Sequence, residues 1–297
     1  MAYFVDLSSL VSALSEISLR DLFVLLAIAA VLILISVIKW RAFLSRLRIQ
    51  ATVWHLYRLY LVGYFVNLVM PSYVGGDVVR SLYVGERADR AHAVSATLLE
   101  RYTGFMAMVL MSLVALPFSS AVTWQVAALV LVVAAGAIAG SVAMFTRRVS
   151  ITLKRLGLPE RLIAKVEKVE EGLIWGGSDV RLMCQAAALS AAFHVMTIVN
   201  TVAVSHAIGW SAAPWGELFV VVPLILLVGA IPVSPQGLGI QEGAFLFFLQ
   251  SAGATPAQAL AVALVLRAKS YVLAFLGGLL WLGVRAPKTL SSANHSQ

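Results

Sequence analysis

The stretch "VNLVMPSYVGGDVVRSLYV", residues 66–84, interrupts an apolar chain with Asn67, Pro71, Gly75, Gly76, Asp77 and Arg80. A second stretch, "VGAIPVSPQGLGIQEGAFLFF", residues 228–248, does the same with Pro232, Pro235, Gly237, Gly239 and Glu242. What these breaks are depends on what flanks them and on how often the flanking chain crosses a membrane.

The 297 residues are 61% hydrophobic and 12% charged, and the mean hydropathy is +0.92. That apolar fraction is far above that of a soluble domain and indicates an integral membrane protein. The apolar runs are long and do not alternate with period two, so they predict helices and not the strands of an outer-membrane barrel. The formal charge of +8 is no sign of nucleic acid, because the basic residues gather at the ends of apolar segments. Cys184 is the only cysteine, so no intramolecular disulfide forms. The histidines lack the spacing of paired metal ligands on one helix, and neither metal nor cofactor is expected. The sequon Asn294-His295-Ser296 lies in a polar tail assigned to the cytosol and reads as chance.

Apolar segments at 22–38, 93–117, 122–145, 182–208 and 257–284 are each long enough to span about 30 Å of hydrocarbon. Segments 53–70 and 216–250 carry the interruptions. Basic residues follow the first span (Lys39, Arg41, Arg46, Arg48), the third (Arg147, Arg148, Lys154, Arg155) and the last (Arg285, Lys288). All three places are expected on the cytoplasmic side. Only Phe118 to Ala121 separate the second and third spans, so the second runs outward and residues 71–92 are cytosolic. Segment 53–70 then begins and ends on one side, as a re-entrant hairpin. By the same parity 216–250 enters and leaves from the outer face.

Residues 147–181 hold eight Lys/Arg and five Asp/Glu, with Leu162, Val166, Val169 and Leu173 on one stripe. They predict a helix on the cytosolic membrane surface. Residues 1–19 lack the basic-then-apolar pattern of a signal peptide and read as a short outer-face amphipathic segment.

An internal repeat agrees with the parity. "AHAVSATLLERYTGF" (91–105) aligns without gaps on "AQALAVALVLRAKSY" (257–271), pairing Arg101 with Arg267. The fold class is therefore an all-α polytopic membrane protein, with five full transmembrane helices and two re-entrant helical hairpins in an inverted repeat. One domain is expected over 1–297, with a first repeat at 1–120, a connecting span and cytosolic segment at 121–180, and the second repeat at 181–285. Inverted repeats with broken helices are a transporter design, since irregular backbone at membrane depth survives only when buried in protein or lining a wet cavity.

The break residues suit an anion. Pro71 stops a helix, Gly75 and Gly76 allow unusual backbone, and a helix starting near Asp77 turns free N–H groups toward the break. Arg80 lies three residues from Asp77, and could pair with it or bind phosphate; an Asp cap and an interfacial Arg is the plainer alternative. Arg101 and Arg267 lie about ten residues inside spans, where an unpaired charge costs roughly 3 kcal/mol or more. Glu100 adjoins Arg101, while Arg267 and Lys269 have no adjacent acid, so Glu242 is the expected partner of Arg267. Each is either a structural ion pair or a group that handles substrate. The candidate substrate-binding set is Asn67, Pro71, Gly75, Gly76, Asp77, Arg80, Glu100, Arg101, Pro235, Gly237, Gly239, Glu242, Arg267 and Lys269, expected around one polar cavity, with no catalytic residue assigned. Gly136 and Gly140 read as a helix-packing pair, and His194 and Asn200 as interhelical hydrogen-bonders.

"GYFVNLVMPSYVGGDVVR", the following "LLER", and "IPVSPQGLGIQEGA" resemble signature segments of the lysylphosphatidylglycerol synthase transmembrane family, also called the flippase-like domain family. The likeness covers roughly residues 35–285. It implies a multi-pass protein of the bacterial or archaeal cytoplasmic membrane that handles an anionic phospholipid, a polyprenyl-linked lipid or a hopanoid lipid. Members of the family often carry one more N-terminal span. In its aminoacyl-lipid synthases a soluble transferase domain follows the membrane part, whereas this sequence ends shortly after its last span, so aminoacyl transfer by that route is not expected.

Three functions stay open on sequence: a lipid flippase, a non-catalytic partner of a lipid-modifying enzyme, and a membrane enzyme using Asp77 or Glu242. The chain has no P-loop for ATP. Partners are membrane lipids and, in the open alternatives, a second copy or a lipid enzyme. The N-terminus is expected outside and the C-terminus in the cytosol.

Overall fold

A computed structural model describes residues 6–70, 75–84, 90–118, 124–146, 148–229, 234 and 237–282. Among them are twelve α-helices and no strand: α1 (Leu7–Ser15), α2 (Leu19–Arg46), α3 (Val53–Val69), α4 (Gly75–Val84), α5 (Arg90–Ala115), α6 (Trp124–Phe145), α7 (Arg148–Arg155), α8 (Glu160–Gly177), α9 (Val180–Ala207), α10 (Trp215–Gly229), α11 (Ile240–Ser251) and α12 (Pro256–Trp281). Five of them, α2, α5, α6, α9 and α12, are long and apolar enough to cross a membrane. Their exposed side chains are large and apolar, among them Phe23, Val132, Ile138 and Phe275. Such faces are stable against lipid and not against water. The protein is an all-α, multi-pass membrane protein.

Helix ends follow local chemistry. Asp6 caps α1, and hydrogen bonds from the Ser9 and Ser8 hydroxyls and amides hold its carboxyl down at about 2. Met70 leaves the helical region at φ −88°, ψ 139°, as the residue before a proline must. Thr255 and Gln258 cap α12 reciprocally, with Pro256 in the first helical position.

The chain divides into two compact units, one of residues 1–35, 104–137 and 188–271, the other of 36–103, 138–187 and 272–297. The first has a continuous apolar core built around Ile198, Leu218, Ile225, Leu249 and Val262, all essentially inaccessible. In it α10 packs against α11.

In the second unit α3 packs against α4. Residues 53–69 thus form one uninterrupted helix and not a hairpin by themselves; the partner arm is α4. The reason is that 53–70 contains no Pro and only Gly63, while the break residues come after it. Close approach of α4 to α3 requires Gly76, since a Cβ there would lie 2.3 Å from the Gly63 carbonyl oxygen. Gly277 plays the same part where α12 crosses α3, its would-be Cβ lying 1.9 Å from the carbonyl oxygen of Leu61.

Gly136 and Gly140 do not pack: a Cβ at either would meet nothing within 4 Å. Gly277→Ala is accordingly expected to cost about 1–3 kcal/mol or more, because backbone cannot yield as a side chain does. Gly140→Ala should be neutral or gain up to about 1 kcal/mol of helix propensity. Thermal melts of the two variants in one detergent check this, and equal melting temperatures would contradict it.

Where 147–181 reads as one helix, the described residues 148–177 hold two, α7 and α8, packed on each other. The buried face of α8 is Ile163, Glu170, Gly172, Leu173 and Gly176, so Leu162 of the expected stripe is exposed. This face packs on α5: the Ser95 hydroxyl donates to the Val169 carbonyl at 2.9 Å, and Leu99 sits against Gly176. Glu170 turns inward to accept from the N–H groups of Val149 and Ser150 at the start of α7.

Candidate functional site

The first break is tied together from both sides. Asn67, in the last turn of α3, accepts the Gly76 N–H on Oδ1 at 2.7 Å and so satisfies one of the free amides of α4. Asp77 is the third residue of α4, and its carboxylate receives a two-pronged hydrogen bond from Arg101 of α5, Nε and Nη2 both at 2.8 Å. Arg80, one turn further, sends Nη2 to Glu100 Oε2 at 2.8 Å and brings Nε within 3.1 Å of Asp77 Oδ1. Lys39 of α2 completes the group at 3.4 Å from Glu100 Oε1.

Lys39, Arg80 and Glu100 are buried. Three cations against two carboxylates leave the cluster one positive charge in excess. The Arg80 guanidinium lies against two aromatic rings, 4.6 Å from the Trp40 centroid and 4.3 Å from that of Tyr60. Its Nη1 makes no hydrogen bond, and the two rings replace part of the lost hydration. Trp40 in turn donates its Nε1–H to Thr97 at 3.0 Å. Thr97 also shares a 2.8 Å hydrogen bond with Ser81, whose hydroxyl donates to the Asp77 carbonyl. Arg101 differs from the rest, with its side chain 53% exposed.

The second break has a parallel construction. Gly237 and Gly239 have φ of +63° and +82°, values open to glycine at little cost. Glu242 is the third residue of α11. One of its carboxylate oxygens accepts the Gly239 N–H at 2.7 Å, and the other accepts from Arg267 Nε of α12. Lys269 donates to Asn200 Oδ1 of α9 at 2.7 Å. His194 of α9 donates from Nε2 to the Gly104 carbonyl oxygen at 2.9 Å. Arg267 therefore has the partner expected from sequence, and His194 and Asn200 bond between helices as expected.

The two breaks match each other. In each, an Arg of a long apolar helix grips the carboxylate at the third position of the preceding short helix, across sequence separations of 24 and 25 residues. The first cluster lies in the second unit and the second in the first unit. Pro71 and Pro235 lie outside the described residues.

The profile of the family described as "Lysylphosphatidylglycerol synthase TM region" matches residues 1–278. The chain belongs to this family. No curated protein and no solved structure matches the chain. Family membership and the five apolar helices agree on a membrane protein, and the chain's two interrupted segments supply the acid of each acid–arginine pair.

Sequence reading missed part of the first cluster. Glu100 does not pair with Arg101: successive residues of a helix point about 100° apart, so Glu100 faces Arg80 and Lys39 while Arg101 faces Asp77. Lys39 reads as an interfacial cation but is buried. Trp40, Tyr60 and Thr97 carry no signal in a chain already rich in such residues. The internal repeat does hold a usable clue, because the offset that carries Arg267 onto Arg101 carries Glu242 to within one residue of Asp77.

Proposed function

We propose that the protein is a lipid flippase of the bacterial or archaeal cytoplasmic membrane, passing an anionic headgroup along its two polar breaks while the acyl chains stay in the bilayer. The observation that carries this reading is the duplicated acid–arginine clasp at the start of α4 and of α11. In this reading α3–α4 and α10–α11 re-enter from opposite faces, with the N-terminus outside and the C-terminus in the cytosol, as parity and the basic clusters support. A half-exposed guanidinium such as Arg101 can exchange its carboxylate for a phosphate at little cost, because both are bidentate acceptors of the same fork. The substrate is then an anionic phospholipid or a polyprenyl-linked or hopanoid lipid with an anionic headgroup.

A non-enzymatic role is supported by the state of the two carboxylates. Asp77 and Glu242 are each bonded to an arginine, which occupies the carboxylate oxygens that a general acid or base would turn toward a substrate.

Reconstitution tests the proposal. Wild-type protein in liposomes containing a fluorescent phosphatidylglycerol is treated with dithionite, which bleaches the outer leaflet only. Transport gives bleaching of nearly all the label, and more slowly or not at all for a fluorescent phosphatidylcholine. Bleaching that stops at the outer-leaflet share for every anionic lipid tried would remove the flippase reading.

A further inference from the structure

At the C-terminal end of α2 two arginines share one indole. The guanidinium carbons of Arg46 and Arg48 lie 5.0 and 5.4 Å from the centre of the Trp175 ring. Like charges so placed repel unless an anion lies with them. Asp179 approaches, but its Oδ2 is 3.7 Å from Arg46 Nε, too far for a hydrogen bond. Its Oδ1 accepts the Leu182 N–H at 3.0 Å and so caps α9. Arg46 Nε is buried without a hydrogen-bond partner.

The backbone adds an independent observation. Arg48 is the only described non-glycine residue with positive φ, at +64°. It sits where the chain leaves α2, the Ile49 N–H reaching back to the Leu44 carbonyl at 2.8 Å and its own N–H to Ser45 at 3.1 Å. That is the helix-ending pattern whose left-handed position normally takes glycine. The negative end of the α2 dipole explains a cation in the last turn. It does not explain an arginine in the strained position after it.

We propose that Arg46, Arg48 and Trp175 form a phosphate-binding site at the membrane–water boundary, occupied by the headgroup phosphate of an anionic phospholipid. The site lies where one membrane-crossing helix ends at Arg46 and another begins at Val180, the level at which tryptophan and headgroup phosphates meet. Two guanidinium forks offer the phosphate paired donors, and Trp175 holds both forks in place. The site is separate from the Asp77 and Glu242 pairs and does not depend on transport.

Arg48→Gly separates ligand from fold, because glycine relieves the strain while removing the charge; Arg48→Lys keeps the charge without the fork. The proteins are purified in a neutral detergent and mixed with phosphatidylglycerol, phosphatidylcholine or inorganic phosphate, with bound lipids counted by native mass spectrometry beside melting curves. The expected result is that Arg48→Gly melts at or above wild type without anionic lipid, yet retains one fewer phosphatidylglycerol and gains less melting temperature from it. Arg48→Lys should fall between, and inorganic phosphate should protect weakly. Protection by inorganic phosphate equal to that by phosphatidylglycerol, and lost in Arg48→Gly, supports the same phosphate chemistry with a soluble anion as its source. Equal lipid retention and equal phosphate response in wild type and Arg48→Gly overturn the proposal. So does an Arg48→Gly protein that melts below wild type in neutral detergent, which would make Arg48 a structural residue.

Discussion

Arg101→Ala and Arg267→Ala are each expected to slow headgroup translocation about tenfold or more, Arg101→Ala with folded yield close to wild type and Arg267→Ala with a lower melting temperature as well. A charge-assisted hydrogen bond contributes roughly 1.5–3 kcal/mol, and about 1.4 kcal/mol is a factor of ten in rate. The effect on folding is smaller for Arg101 and limited for Arg267, because each acid keeps another partner. Without Arg101, Asp77 retains Arg80 at 3.1 Å. On the flippase reading the exposed half of Arg101 faces the wet break, so its pair contributes only about 1 kcal/mol to stability. Without Arg267, Glu242 retains the Gly239 N–H. That pair is better buried, with 12% exposure on both sides, and its loss should cost up to about 3 kcal/mol. Transport rates read beside melting curves separate the two effects. Loss of transport only in step with unfolding would make both arginines scaffolding.

Glu100→Gln is expected to have the largest effect on stability, about 3–5 kcal/mol. Glu100 is the acid that Lys39 and Arg80 share, and all three are buried. The substitution keeps shape and removes charge, leaving two buried cations with Asp77 as the remaining acid near Arg80. Removing one member of a buried ionic group leaves an uncompensated charge, which costs far more than the intact group contributes. Glu100→Gln should therefore melt well below wild type and purify in lower yield. The double variant Glu100→Gln with Lys39→Met should recover part of the loss. A single variant that melts with wild type would show that water reaches the cluster and screens it.

The long helices were legible in the sequence because lipid imposes a constraint that composition records directly. Segments read at 182–208 and 257–284 became α9 and α12 with ends shifted by a few residues, and 22–38 became α2, which runs on to Arg46 through the basic cluster expected to lie outside it. The breaks were legible for a related reason: Pro, Gly and Asp in an apolar chain cost too much to be accidental. What stayed hidden was which charge meets which. Arg80 reads as the partner of Asp77 by its three-residue spacing, and it does approach, but the two-pronged bond comes from Arg101, 24 residues away. Neighbouring residues on a helix diverge, so Glu100 and Arg101 serve different partners despite being adjacent. Helix–helix contacts through glycine were equally hidden. Gly136 and Gly140 have the packing spacing and open space beside them, whereas Gly277, in no such motif, touches backbone. Spacing alone does not say which face a neighbouring helix will cover.

On the flippase reading the two broken helix pairs re-enter the membrane from opposite faces. This arrangement is tested most directly by single cysteines, Pro71→Cys and Ser251→Cys, in a background with Cys184→Ala. Membrane vesicles of known orientation are treated with an impermeant maleimide before and after permeabilisation. The expected result is labelling of position 71 from the cytosolic face only and of position 251 from the outer face only. Labelling of both from the same face would contradict the inverted repeat, and with it the flippase reading built on the two breaks.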